Sequence, residues 1–195
     1  MSLDKNFISL DLEMNKPSGK IIQVGICVAN FNGGYEPLLK KWYIDPNEDV
    51  TEYITQLTGI TNDDIKTHSV THQQMATELS DIIKGYDCYT NPVTWGGGDY
   101  ELLLSEIKQH TGEKFIDFGR RYIDVKTIFT FMEMCKGNMK KAALKSALGR
   151  RKMQFIGEAH RADVDAHNTI RLFFDLIKSQ SSMVSCINAL SSINI

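Results

Sequence analysis

The runs Phe7-Ile-Ser-Leu-Asp-Leu12, Ile21-Ile-Gln-Val-Gly-Ile-Cys-Val28 and Lys41-Trp-Tyr-Ile44 decide the fold class. Each is short, apolar and rich in branched or aromatic side chains, which reads as a strand. Asn15-Lys-Pro-Ser-Gly19 and Asn32-Gly-Gly34 separate them with turn-forming residues. Connections this short join antiparallel neighbours, since a parallel return needs a longer crossover, so the three runs form a meander.

Downstream the apolar period changes. Met75, Leu79, Ile82 and Ile83 give the stretch 71–83 helical spacing, as Leu103, Leu104 and Ile107 do for 100–107. Val93-Thr-Trp95 reads as a short buried strand ending in Gly96-Gly-Gly98, and Ile123-Asp-Val125 as a strand or strand-to-helix junction. Helices are expected over 126–135, over 142–148 with a stop near Gly149, and over 162–177. A meander followed by alternating strands and helices predicts one α/β domain with a mixed sheet. That domain is expected to span 1–178, with 179–195 as a polar tail or a short peripheral helix docked through Val184, Ile187 and Leu190.

Composition narrows the function. With 42% hydrophobic and 24% charged residues the chain reads as a folded globular protein rather than a disordered one. A net charge of -2 argues against coating nucleic acid by bulk charge, but allows local positive charge beside an acidic site. No stretch approaches the roughly 20 apolar residues of a membrane span, and the first residues lack a secretory signal, so a cytoplasmic location without membrane partners is expected. Cys27, Cys88, Cys135 and Cys186 are widely spaced with no C-x-x-C pair, which suits free thiols.

Asp11 and Glu13 are two apart in a predicted strand and so project from one face, while Leu10 and Leu12 take the other. Two carboxylates this close repel unless a cation lies between them. Asp99 follows three glycines at a strand end. It is suited either to capping the next helix or to facing a ligand at the carboxyl end of the sheet. His160 and Asp165 would not share a face if both were helical, but converge if His160 lies in the entering loop and Asp165 inside the helix. Ala162 and Ala166 would let that helix approach the sheet closely. Taken alone, a histidine is more often a surface or satisfied core residue than a catalyst.

An early acidic pair, a midway aspartate and a late His-x-Ala-x-x-Asp together resemble the exonuclease superfamily named for its Asp-Glu-Asp-Asp carboxylates, in the branch carrying histidine. Asp11-Leu-Glu13 looks like its first motif, Trp95-Gly-Gly-Gly-Asp99 its second and His160-Arg-Ala-Asp-Val-Asp165 its third. Ile22-Gln-Val-Gly25, Leu57-Thr-Gly-Ile60 with Asp64-Ile65, and Asp124-Val-Lys126 resemble its supporting segments in order.

The resemblance implies a ribonuclease H-like fold: a mixed five-stranded sheet, three antiparallel strands first and then parallel ones, with helices on both faces. It implies a metal-dependent 3′→5′ exonuclease acting on the single-stranded 3′ end of RNA or DNA and releasing nucleoside 5′-monophosphates. Two divalent ions, Mg²⁺ or Mn²⁺, are the expected cofactors, since hard oxygen donors suit them. Asp11, Glu13 and Asp165 would hold one ion, and Asp11 with substrate phosphate the other. Asp99 would orient the attacking water, with His160 its general base. Backbone at Met14 would line the 3′ nucleotide pocket, although Met14-Asn15 departs from the threonine common after the first motif. Leu57 and Ile60 would pack on the terminal base or else belong to the core. Arg161 would contact phosphate. The basic run Lys136, Lys140, Lys141, Lys145, Arg150, Arg151, Lys152 is either a solvated face or a phosphate-steering one. Trp95-Gly before the middle aspartate resembles the stand-alone exoribonuclease branch and tilts the expectation slightly to RNA. A DNA proofreading or repair exonuclease and a non-catalytic nucleic-acid-binding or polymerase-associated module are the alternatives, and a homodimer through the C-terminal helix and tail is a further expectation.

Overall fold

Strand β1 (Asn6–Met14) and strand β2 (Ile21–Asn30) run antiparallel with Asp11 opposite Gly25 and Glu13 opposite Gln23. Strand β3 (Leu38–Ile44) completes the expected meander by pairing antiparallel with β2. The computed structural model describes residues 4–191, and their side chains through 182. Helices α1 (Glu52–Thr58) and α2 (Asn62–His68) follow, then strand β4 (Ser69–Val70) and helix α3 (His72–Gly85). Strand β5 (Val93–Thr94) leads into α4 (Asp99–Thr111), and strand β6 (Ile123–Asp124) into α5 (Val125–Cys135). Helices α6 (Leu144–Arg150) and α7 (Ala162–Ser191) close the described chain.

The sheet order is β4-β3-β2-β1-β5-β6, with β5 parallel to β1 and β6 parallel to β5. This is the ribonuclease H-like mixed sheet. It carries six strands where the resemblance implies five, because two-residue β4 adds in parallel to the outer edge of β3. A strand that short has no apolar alternation to read.

Side-chain alternation along β1 builds both layers. Ile8, Leu10 and Leu12 face a core closed by Met75, Leu79 and Ile83 of α3 and Leu103 and Ile107 of α4. Phe7 faces the opposite core with Phe129, Leu148, Ile170, Phe173 and Leu176. Ser9, on that second face, donates to the Ala166 carbonyl at 2.7 Å, so α7 lies directly over the central strand. Asp11 and Glu13 continue the same face toward the first turn of α7.

Helix α7 continues unbroken to Ser191, where the residue pattern predicts a stop near Ile177. No glycine or proline interrupts 158–195, so nothing in the polar serines breaks the helix. Docking through Val184, Ile187 and Leu190 falls outside the described side chains. Among the described residues no helix is long and apolar enough to cross a membrane.

Candidate active site

Close packing of α7 on β2 brings the distant carboxylates together. Gly25 lies directly under the helix start: a Cβ there would sit 2.1 Å from the Ala162 carbonyl carbon and the Asp163 nitrogen. Beside it, Gln23 accepts the Ala162 N–H at 3.0 Å, satisfying one of the free donors of the first turn. Ala162 and Ala166 are fully buried, as their small size predicts. Asp165 then projects from the first turns toward Asp11 and Glu13. Its Oδ2 accepts the His160 backbone N–H at 2.8 Å, which holds the histidine loop against the helix. His160 adopts φ 64, the left-handed conformation that non-glycine residues rarely take, so the turn into α7 is bent sharply at this residue.

Asp99 arrives from the other side. It is the first residue of α4, and the N-cap is Gly98, whose N–H goes to the Glu101 carboxylate at 3.3 Å. Glu101 therefore does the capping and Asp99 faces the site, the second of the two readings open from sequence. The glycine loop before it is tied by Asp124, which accepts the Gly96 N–H at 3.1 Å and caps α5 through the Thr127 N–H at 3.0 Å.

One cavity of about 380 Å³ is lined by Asp11, Glu13, Asp99, His160 and Asp165 together with Trp95, Leu144, Lys145 and Phe155. Donor atoms of Glu13, His160 and Asp165 lie within 4.8 Å of one another. Every carboxyl is pushed up. Burial raises Asp11 well above its ordinary value, with Asp99, Asp165 and Glu13 adding repulsion. Glu13 is pushed up to about 7 by burial and then by Asp165 and Asp99, and Arg161 opposes the shift. Asp99 rises to about 6 through burial and Glu101. Asp165 rises through burial despite the His160 N–H that it accepts. Four mutually repelling acids with one imidazole are a donor set that fits hard divalent cations, whose charge would reverse each of these shifts.

The expected substrate contacts are distributed differently. Ile60 is fully buried among Ile22, Val50, Ile54 and Ile65, so of its two readings the core one holds, and a terminal base cannot reach it. Leu57 is 39% exposed on α1, and Met14 ends β1 at a bulge after Glu13. Neither of these lines the cavity. Arg161 lies with its guanidinium against Gly59, whose Cβ position is 3.0 Å from Nη2, and so bridges the His160 loop to the Leu57–Ile60 segment.

The basic run divides. Lys136 pairs with Glu133, Arg150 with Glu133 and the carbonyls of Lys140 and Lys141, and Arg151 with Asp175. Of the seven, only Lys145 lines the cavity. Phe155 escaped the sequence reading, because the loop that carries it has no periodicity. The structural use of Gln23 depends on strand register, and β-branched neighbours alone do not reveal it.

The exonuclease family model, RNase_T, matches residues 8–173. Among curated proteins none matches by sequence. Similar solved structures include the nuclease domain of 3'hExo, a DEDDh family member bound to rAMP, at 19% identity and TM-score 0.75. That match covers 91% of this chain and 94% of the other. Cell-death related nuclease 4 is similar at 18% identity and TM-score 0.75, covering 91% and 65%. Exonuclease I of E. coli, in complex with a dT13 oligonucleotide, is similar at 16% identity and TM-score 0.67, covering 94% and 43%. The solved structures share the fold, the family model spans both faces of the carboxylate cavity, and this chain belongs to the exonuclease family.

Proposed function

We propose that the chain is a divalent-metal-dependent 3′→5′ exonuclease of the Asp-Glu-Asp-Asp type with a histidine base, releasing nucleoside 5′-monophosphates, with RNA slightly favoured over DNA. The observation that carries this is the convergence of Asp11, Glu13, Asp99, His160 and Asp165 on one cavity. Asp11, Glu13 and Asp165 would hold Mg²⁺ or Mn²⁺, with Asp99 as the outlying carboxylate. Bound there, such ions stabilise the attacking and leaving oxygens of an in-line displacement.

The chain's own residues supply the rest. His160 is exposed at the cavity mouth and removes the proton from the attacking water at a ring nitrogen. Lys145 lines the cavity and draws the phosphate toward an otherwise acidic site, and Arg161, whose charge opposes the shift of Glu13, contacts phosphate. Trp95 and Phe155 offer flat apolar walls on which a terminal base can stack, a contact that tolerates any base. Trp95-Gly ahead of Asp99 is the feature that favours RNA.

Matched 3′-labelled and 5′-labelled RNA and DNA oligonucleotides, incubated with Mg²⁺, Mn²⁺ or chelator, test the proposal. The expected result is release of 5′-mononucleotides from the 3′ end, lost with chelator and in Asp11→Asn, and faster on RNA. Binding of oligonucleotides without hydrolysis under any metal would instead support a non-catalytic binding module, and faster DNA cleavage would move the assignment to the DNA branch.

A further inference from the structure

We infer that His72, Glu106 and His110 form a second metal site, for a zinc-type ion, that ties α3 to α4 away from the carboxylate cavity. Their donor atoms all lie within 4.8 Å of one another. Glu106 and His110 stand four residues apart on α4 and therefore share a face. His72 opens α3, where reciprocal Thr71 and Gln74 hydrogen bonds hold the backbone of the first turn. Its Nε2 is 3.0 Å from a Glu106 oxygen. Asp99 and His110 lie at opposite ends of α4, separated by about 16 Å along the axis at 1.5 Å per residue. The two sites have no residue in common.

His110 is the informative member. Its ring stacks on that of His72 with centroids 4.0 Å apart and planes 3° from parallel. Among the described residues its side chain has no hydrogen-bond partner, although the cavities around it are polar. One, of about 420 Å³, is lined by Asp45, Asn47, His72 and His110. The other, of about 310 Å³, is lined by Asp45, His72, Glu106, Gln109 and His110. Asp45 thus faces the trio from the β3 side. Its Oδ1 accepts the Asn47 N–H at 2.7 Å, which fixes the turn.

Stacked parallel rings cannot both aim an in-plane lone pair at one ion, so binding requires His110 to turn out of the stack. It is the exposed member of the trio, and that rotation is cheap. The turn would bring donors now up to 4.8 Å apart to the roughly 3.4 Å expected between ligands of a tetrahedral ion at about 2.1 Å. Two imidazoles with a carboxylate select zinc or a similar borderline ion over Mg²⁺ or Ca²⁺, which prefer all-oxygen shells.

The test uses the full chain carrying Asp11→Asn and Asp165→Asn, so that the carboxylate centre does not compete for metal. Titration with Zn²⁺ by calorimetry should find one ion per chain, and Co²⁺ should develop the visible bands of four-coordinate cobalt. Adding His110→Ala should weaken Zn²⁺ at least tenfold and abolish the Zn²⁺-dependent rise in melting temperature. His72→Ala should do the same, with circular dichroism checking that the chain stays folded. No Zn²⁺ uptake by the parent, or uptake unchanged by His110→Ala, would overturn the inference and leave His72 and Glu106 as an ordinary hydrogen-bonded pair. Neither result bears on nuclease activity.

Discussion

Glu13 and Asp99 hold protons in the folded chain at pH values where the unfolded chain has released them. Glu13 is pushed from 4.5 to about 7 and Asp99 from 3.8 to about 6, chiefly by burial. A carboxyl raised on folding binds more protons in the native state, so stability falls as pH climbs between the two values. The metal-free protein should therefore melt at lower temperature at pH 8 than at pH 5, with the loss spread between 3.8, the ordinary value of Asp99, and about 7. Mg²⁺ or Mn²⁺ at about a hundred times its dissociation constant adds roughly 2.7 kcal/mol, or about 5–10 °C for a chain of this size. At one fixed metal concentration the gain should be larger at pH 8 than at pH 5, where protons compete for the carboxylates, and absent in Asp11→Asn. Differential scanning calorimetry decides it, and a pH-independent metal-free melting point would contradict the electrostatic account. In turnover, His160→Ala should lose roughly 10²–10⁴-fold in rate with mononucleotides still the product. These side chains stood out in sequence because the acidic pair, the midway aspartate and the late His-x-Ala-x-x-Asp resemble one family's motifs in order, whereas an acidic pair alone is common on edge strands. Lys145 was named in sequence only as one of seven in a basic run and Phe155 not at all, since α6 and the loop after it reach the site only through tertiary packing.

Helix α7 and strand β2 meet at a separation that only glycine allows. Gly25→Ala would drive a Cβ to 2.1 Å from backbone atoms of α7, a clash no rotamer relieves. Overpacking of this kind costs about 1–3 kcal/mol or more, and here the compliant partner is the helix that carries Asp165. The expected outcome is a moderate loss in urea stability with a far larger loss in kcat. Equal activity in the variant would separate the helix position from catalysis. Gly59→Ala makes a useful contrast, because its new Cβ meets the flexible end of Arg161 at 3.0 Å, although φ 70 still strains it. Strands β1 to β3 were readable as branched apolar runs between turn-forming residues, and helices α3 and α4 from their apolar period. Helices α1 and α2 are seven residues each and present too little of a stripe, even though Thr61 and Asp64 form a capping box. Close approach at Gly25 depends on its pairing with Asp11, a long-range fact that no local pattern contains.

Across the whole molecule, net charge of -2 and the pairing of Lys136, Arg150 and Arg151 with acids reduce the cations free for substrate. The two phosphate contacts proposed, from Lys145 and Arg161, predict that log affinity for a single strand falls with log salt at a slope of about -1.4. Engagement of all seven residues of the run would give a slope of about -5 instead. Binding of oligonucleotide to Asp11→Asn across a salt series measures this, and Lys145→Ala should lower the slope by about 0.7. The mixed sheet could be anticipated from the change in apolar period after the third strand. The full reach of α7 could not, because weak helix formers such as serine neither prolong nor stop a helix visibly.

The distance along the chain between Asp11 and Asp165 also has a meaning in time. They are 154 residues apart, and the central strands are completed only when α7 lies down on them. At about 5–20 residues per second, a ribosome takes roughly 8–30 s to travel from the first acid to the last. Through that interval the growing chain carries Asp11, Glu13 and then Asp99 on an uncovered sheet, without the helix that would bring the remaining groups beside them. The nuclease proposed above therefore gains its full set of carboxylates only once synthesis has passed Asp165.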